Sequence, residues 1–155
     1  MTETKAPSES IVEMRELVLP NDTNTHGNIL GGRVLHLMDI ACAMSAMRHA
    51  RKPVVTATMD QVEFLSPVPL GHFVILKACV NYTGRTSMEV GVKVLSECPM
   101  TGTLQHTSSA YLTFVALHGG KPADVPKLIP ETDDEKRRCE EGEGRMKARR
   151  ARRGK

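Results

Sequence analysis

One carboxylate sits where a core helix would ordinarily carry Ala or Leu. Asp39 interrupts the apolar run Val34-Leu35-His36-Leu37-Met38-Asp39-Ile40-Ala41-Cys42-Ala43-Met44-Ser45-Ala46-Met47. A helix this apolar is expected to be buried on all sides, and an unpaired carboxylate inside it would be costly. Such a residue needs a chemical reason, and a carboxylate has two: general base toward water, or direct nucleophile toward a carbonyl. At about 3.6 residues per turn, Gly32, Leu35, His36, Cys42, Ala43 and Ala46 share its face, and most are small enough to leave open volume beside it. His36, one turn earlier, is read as hydrogen-bond support rather than as a second catalyst.

The preceding stretch, Asn21-Asp22-Thr23-Asn24-Thr25-His26-Gly27-Asn28, is dense in turn and capping residues and leads into Gly31-Gly32. Glycines at a helix start expose backbone N–H groups at the positive end of the helix dipole. Those donors suit a polarised carbonyl or a developing oxyanion. Spacing alone makes Asn24 a turn residue bonded to its own backbone, and it leaves His26 as a loop residue without an assigned role.

These groups must be positioned by a helix and by strands. After the helix the apolar period falls from 3.6 to 2. Val74, Leu76, Ala78, Val80 and Tyr82 are expected on one strand face, as are Met88, Val90, Val92 and Val94, and then Ala110, Leu112, Phe114 and Ala116. Residues 11–19 and 54–65 supply two further strands, with turns over 81–87 and 97–102 and a proline-rich break over 66–71. One antiparallel sheet of about five strands wrapped around one long central helix follows, an α+β architecture. Its open edges and incompletely covered helix call for a second copy.

The string Leu-Pro-Asn-Asp-Thr-Asn-Thr-His-Gly-Asn-Ile-Leu-Gly-Gly over 19–32, with Met-Asp at 38–39, resembles the acyl-CoA thioesterases of the hot-dog fold. The resemblance covers roughly residues 10 to 118. It implies hydrolysis of fatty acyl-CoA to free acid and CoA, with Asp39 as base or nucleophile, Asn24 orienting water or the thioester carbonyl, and Gly32 with Gly31 facing the oxyanion. It also implies that Asn24 and Asp39 of one site come from opposite protomers, and that dimers assemble into a hexamer as a trimer of dimers. Arg85, with Thr86 and Ser87, matches a turn that lies near the CoA nucleotide in the family, although an ordinary solvated hairpin arginine fits the residue nearly as well. Arg33 departs from the bulky residue common there. The alternatives carried forward are a hot-dog acyl thioester dehydratase and a non-catalytic acyl-CoA-binding protein with a basic tail.

The chain has 155 residues, 40% of them hydrophobic, which suits one domain of moderate size. The first ten residues lack a signal-peptide apolar core, and the apolar helix is broken by charge, so a cytoplasmic protein without membrane association is expected. Cys42, Cys79, Cys98 and Cys139 show no paired metal spacing, so neither a metal nor a cofactor is expected. The net charge of +3 arises entirely in residues 131–155, where ten Lys and Arg face seven Asp and Glu. The expected organisation is a disordered N-terminus over 1–10, the hot-dog domain over 11–118, a Pro-rich connector over 119–130 and a charged tail over 131–155. That tail reads as a frayed, solvated helix with too few apolar residues to dock. Its arginines lack interleaved aromatics, so no nucleic-acid partner is expected.

Overall fold

The computed structural model describes residues 3–154. In chain order it contains β1 (Thr4–Lys5), a 3-10 turn (Pro7–Ser10), β2 (Val12–Leu17), a second 3-10 turn (Pro20–Asp22), α1 (Gly31–Ala50) and β3 (Val54–Phe64). There follow β4 (Phe73–Thr83), β5 (Ser87–Glu97), β6 (Leu104–His118), β7 (Lys121–Pro122), β8 (Lys127–Leu128) and α2 (Asp133–Arg153). The main sheet runs β2-β4-β5-β6-β3, all antiparallel, with β7 added to the end of β6; β1 and β8 form a separate parallel pair.

Alternation in the long strands produces the sheet's inner face. Leu76, Val80, Val90, Leu112 and Phe114 point inward and are buried against Leu37, Met38, Ala41, Cys42 and Ala46 of α1. α1 closes in the left-handed conformation at Arg51 (φ 53°), whose N–H returns to Met47 O, and Pro53 follows. This is the expected central helix in an antiparallel sheet. It is not buried on all sides: Gly31, Gly32, His36, Ile40 and Met47 face outward from the protomer. The sheet covers one face of a helix, and a single layer of strands cannot close over the other.

Three other expectations change. Tyr82 leaves the inner face, because β4 carries an extra residue between Val80, which pairs with Val90, and Tyr82, which pairs with Glu89. The N-terminal segment is structured where it is described: β1 pairs with β8, Ser10 is buried, and Lys5 Nζ donates to His49 O at 2.8 Å. The first two residues lie outside the described range.

The tail docks. α2 begins at a capping box in which Thr132 Oγ1 accepts from Glu135 N and Glu135 Oε1 accepts from Thr132 N. It then crosses the outer face of the sheet. Glu89 on β5, 2% exposed, accepts two hydrogen bonds from Arg145 at 2.9 and 2.7 Å, and Arg149 Nη1 lies 3.0 Å from Asp60 Oδ2 on β3. The Arg145 guanidinium stacks 3.6 Å from the centre of the Tyr111 ring. Gly142 permits the approach, since a Cβ there would stand 2.8 Å from Tyr82 Cβ and 3.0 Å from Glu89 Oε1. Charge and stacking hold this helix, which is why counting apolar residues misses it.

Candidate active site

The loop before α1 is built by its own polar residues. Asp22 closes the second 3-10 turn by accepting from Leu19 N at 3.0 Å, and its carbonyl accepts from Leu30 N at 2.8 Å. Gly27 takes the left-handed conformation (φ 78°) that lets the chain reverse, and Asn24 N donates to Asn28 O at 2.8 Å. Asn24 Oδ1 accepts from His26 N and Asn28 N at 2.9 and 3.2 Å, so the turn bonding expected from spacing is present. That bonding uses the carbonyl side of the amide and leaves its NH2 available to a ligand. Asn24 lines a cavity of about 350 Å³ together with Ile29, Gly31, Val34, Phe64 and Val68.

At the helix start, Arg33 N and Val34 N both return to Leu30 O, at 3.0 and 3.1 Å. The N–H groups of Gly31 and Gly32 precede this ladder. A Cβ at Gly32 would meet nothing within 4 Å, whereas one at Gly31 would touch the Phe64 ring at 3.7 Å. The approach to these amides is therefore open on the Gly32 side. Arg33 ties the helix to its surroundings through Glu16 Oε2 at 3.0 Å and Asp22 Oδ1 at 3.3 Å.

Asp39 lies two turns further along α1, half-buried. Thr56 Oγ1 on β3 donates to Asp39 Oδ1 at 2.7 Å, which leaves Oδ2 for another partner. The Cys42 thiol, one turn on, is held far above its ordinary range, first by burial and then by the Asp39 charge. Asp39 is not part of the cavity that Asn24 lines, so one protomer does not bring the two together in a common pocket. His36 is exposed, as is His26.

Arg85, Thr86 and Ser87 occupy the β4–β5 turn. Arg85 reaches Asp124 Oδ1 at 2.7 Å, with both side chains largely exposed, and Ser87 O accepts from Gly84 N at 2.9 Å. Among the described residues no cluster of three or more His, Cys, Asp or Glu could hold a metal, and no helix is long and apolar enough to cross a membrane. Thr56 is the residue that sequence reasoning missed. A β-branched residue in a strand carries no local signal, and its bond to Asp39 spans 17 positions.

The family model described as Thioesterase superfamily matches residues 26–103. YkhA of Bacillus subtilis, described as an uncharacterized acyl-CoA thioester hydrolase, is 43% identical over 134 residues, which is 86% of this chain and 78% of its own length. An acyl-CoA hydrolase from Staphylococcus aureus, solved in complex with butyryl coenzyme A, coenzyme A and coenzyme A disulfide, superposes with a TM-score of 0.90 at 39% identity, covering 97% of this chain and 92% of that one. The same enzyme has been solved with an Asp, an Asn or a Thr replaced by Ala. A hexameric acyl-CoA thioesterase in its apo form gives a TM-score of 0.93 at 42% identity over 97% of each chain. Fold, sequence and relatives agree, and the chain belongs to the thioesterase superfamily as a hot-dog acyl-CoA hydrolase.

Proposed function

We propose that this acyl-CoA hydrolase cleaves fatty acyl thioesters at a site shared between two protomers, with Asp39 as the base and Asn24 of the opposite protomer as the orienting amide. The bond from Thr56 to Asp39 Oδ1 carries the reading. It fixes the orientation of the carboxylate and leaves Oδ2 to take a proton from water. In the Staphylococcus aureus enzyme the Asn, Asp and Thr replaced by Ala follow one another at the same chain spacing as Asn24, Asp39 and Thr56 here.

The reaction then runs as follows. Water loses a proton to Asp39 as its oxygen attacks the thioester carbon. The carbonyl oxygen becomes an oxyanion facing the N–H of Gly32, with Gly31 beside it. Collapse expels the CoA thiolate, and the proton held by Asp39 is returned to the thiol side. The Asn24 NH2 orients the water or the carbonyl. The apolar lining supplied by Ile29, Val34, Phe64 and Val68 suits an acyl chain, and Arg85, Thr86 and Ser87 of the β4–β5 turn are the residues this reading assigns to the CoA phosphates.

The shared site is supported by the cavity that Asn24 lines, which does not contain Asp39 of the same protomer. β3 is an edge strand with Val55 and Phe64 exposed, and the outward face of α1 carries Ile40 and Met47. Joining two β3 edges covers both, and three such dimers make a hexamer. The test is thiol release from acyl-CoA across chain lengths for Asp39→Asn. The variant is expected to fold and bind CoA while losing roughly two to four orders of magnitude in turnover, the usual contribution of a positioned base. More than a tenth of the parent rate in a stable variant would remove Asp39 from this role.

A further inference from the structure

A second cavity, of about 680 Å³, lies on the opposite side of the sheet, between its outer face and the first half of α2. That size is within the range of small-molecule sites. Its floor is Gly91 on β5, flanked by Asn81 on β4 and Tyr111 on β6. Asn81 is the extra residue of the β4 bulge, and bulges of this kind re-aim side chains next to functional sites. Its amide lies across the bare Gly91 backbone, where a Cβ would overlap Asn81 Nδ2. Asn81 is only 7% exposed yet lines this cavity, where its amide NH2 can donate to a bound acceptor.

The charges around it say which ligand. Lys77 and Lys93 stand directly opposite each other on β4 and β5, an unfavourable pairing of like charges. Arg138 adds a third cation from α2. None of the three has an ion pair among the described residues. Nearby acids offset them only in part: Glu13, opposite Lys77 on β2, is 3.1 Å from Arg15, Glu135 accepts from the N–H groups of Glu131 and Thr132 while its charge also faces Arg138, and Arg137 and Arg145 already hold Asp134 and Glu89. Two acids in the lining, Glu135 and Glu141, stand against five cations, Lys77, Lys93, Arg137, Arg138 and Arg145. His106 bonds its own strand through Ser108 O at 3.0 Å.

We propose that this outer groove binds a multiply charged phosphate group, held by Lys77, Lys93 and Arg138 and by the Asn81 NH2, at a site separate from the thioester carbonyl. The anion relieves the Lys77–Lys93 repulsion and accepts from the Asn81 amide. The phosphate belongs to a free phosphorylated small molecule, since the proposed function puts the CoA phosphates at the β4–β5 turn, whose residues do not line this groove.

Isothermal titration of inorganic pyrophosphate into the full-length enzyme tests the site without turnover. Saturable binding is expected, weakened at least tenfold in the exposed double variant Lys77→Ala/Lys93→Ala and in Gly91→Ala, whose methyl group displaces Asn81. Circular dichroism shows that each variant is folded, and the double variant carries the test should Gly91→Ala fail to fold. The KM for acyl-CoA in the double variant is expected to stay unchanged; a tenfold rise would place CoA phosphates in the groove and overturn its assignment to a separate ligand. No pyrophosphate binding, or equal affinity in the double variant, overturns it.

Discussion

Thr56 and Asp39 act as a pair, and the hydroxyl is the half that can be removed without changing shape. Thr56→Val keeps the β-branched volume on β3 but leaves Asp39 Oδ1 without its 2.7 Å donor. The bond orients the base, so turnover should fall roughly tenfold or more, and because Thr56 is exposed and Asp39 only half-buried the thermal midpoint should stay close to the parent's. Steady-state thiol release beside a melting curve checks both. His49 is the other residue whose environment dictates an experiment. It is fully buried at the end of α1, its Nε2–H donates to Pro126 O at 2.7 Å, and its Nδ1 has no partner among the described residues. Burial holds its pKa below the ordinary 6.5, with the Pro126 bond opposing the shift. An unfolded chain takes up a proton near 6.5 and the folded one resists it, so protons favour unfolding. Stability from this residue is complete above that pH and is lost as pH falls through 6.5 toward the folded value. The urea midpoint should therefore drop between pH 7 and pH 5, and His49→Gln should flatten that dependence.

At the scale of elements, α2 decides whether the outer face of the sheet is wet or covered. Arg145→Ala removes both hydrogen bonds to the Glu89 carboxylate, 2% exposed, leaving it Arg149 Nη1 at 4.0 Å, and removes the stacking on Tyr111. Breaking a buried pair from one side costs about 3–5 kcal/mol, so a large fall in the unfolding midpoint is expected by denaturant titration. Glu89→Gln together with Arg145→Met should recover most of that loss, because the pair as a whole contributes far less than its half-removal suggests. Deletion after Pro130 should also destabilise the domain, because it uncovers Tyr82 and Tyr111 and removes the contacts that Gly142 and Arg145 make there, although Glu89 is then hydrated rather than stranded. Composition alone, with few apolar residues in the tail, leads to the opposite expectation; the difference lies in Gly142, which brings helix and sheet into contact, and in Glu89, which supplies the buried counter-charge.

For the whole molecule, the proposed assembly makes a quantitative demand. If Asn24 and Asp39 of each site belong to different chains, Asn24→Ala and Asp39→Asn are each nearly inactive. After the two are unfolded and refolded together, every heterodimer holds one site with both residues intact and one with both lost. Random mixing makes about half the dimers hetero, so activity should return to about one quarter of the parent value. Mixed dimers, confirmed by mass spectrometry of a tagged partner, that stay as inactive as the separate variants would exclude the shared site.

Much of this molecule is written locally in its chain. The period change from 3.6 to 2 marks α1 against β4, β5 and β6, and the inward residues of β5 and β6 are those that alternation picks out. The Gly31-Gly32 start, the turn bonding of Asn24 and the acidic-to-basic order of α2 are equally local, since each depends on neighbours within a turn or two. What tertiary structure decided involves residues far apart in sequence. Thr56 reaches Asp39 only because β3 folds back along α1, and Arg145 reaches Glu89 across 56 positions. Tyr82 and Asn81 change role through a single extra residue in β4, a register shift that strict alternation cannot express. Periodicity fixes which face a side chain takes within its own element; where two faces meet, and which charges they bury there, is set by the packing of the whole sheet against both helices.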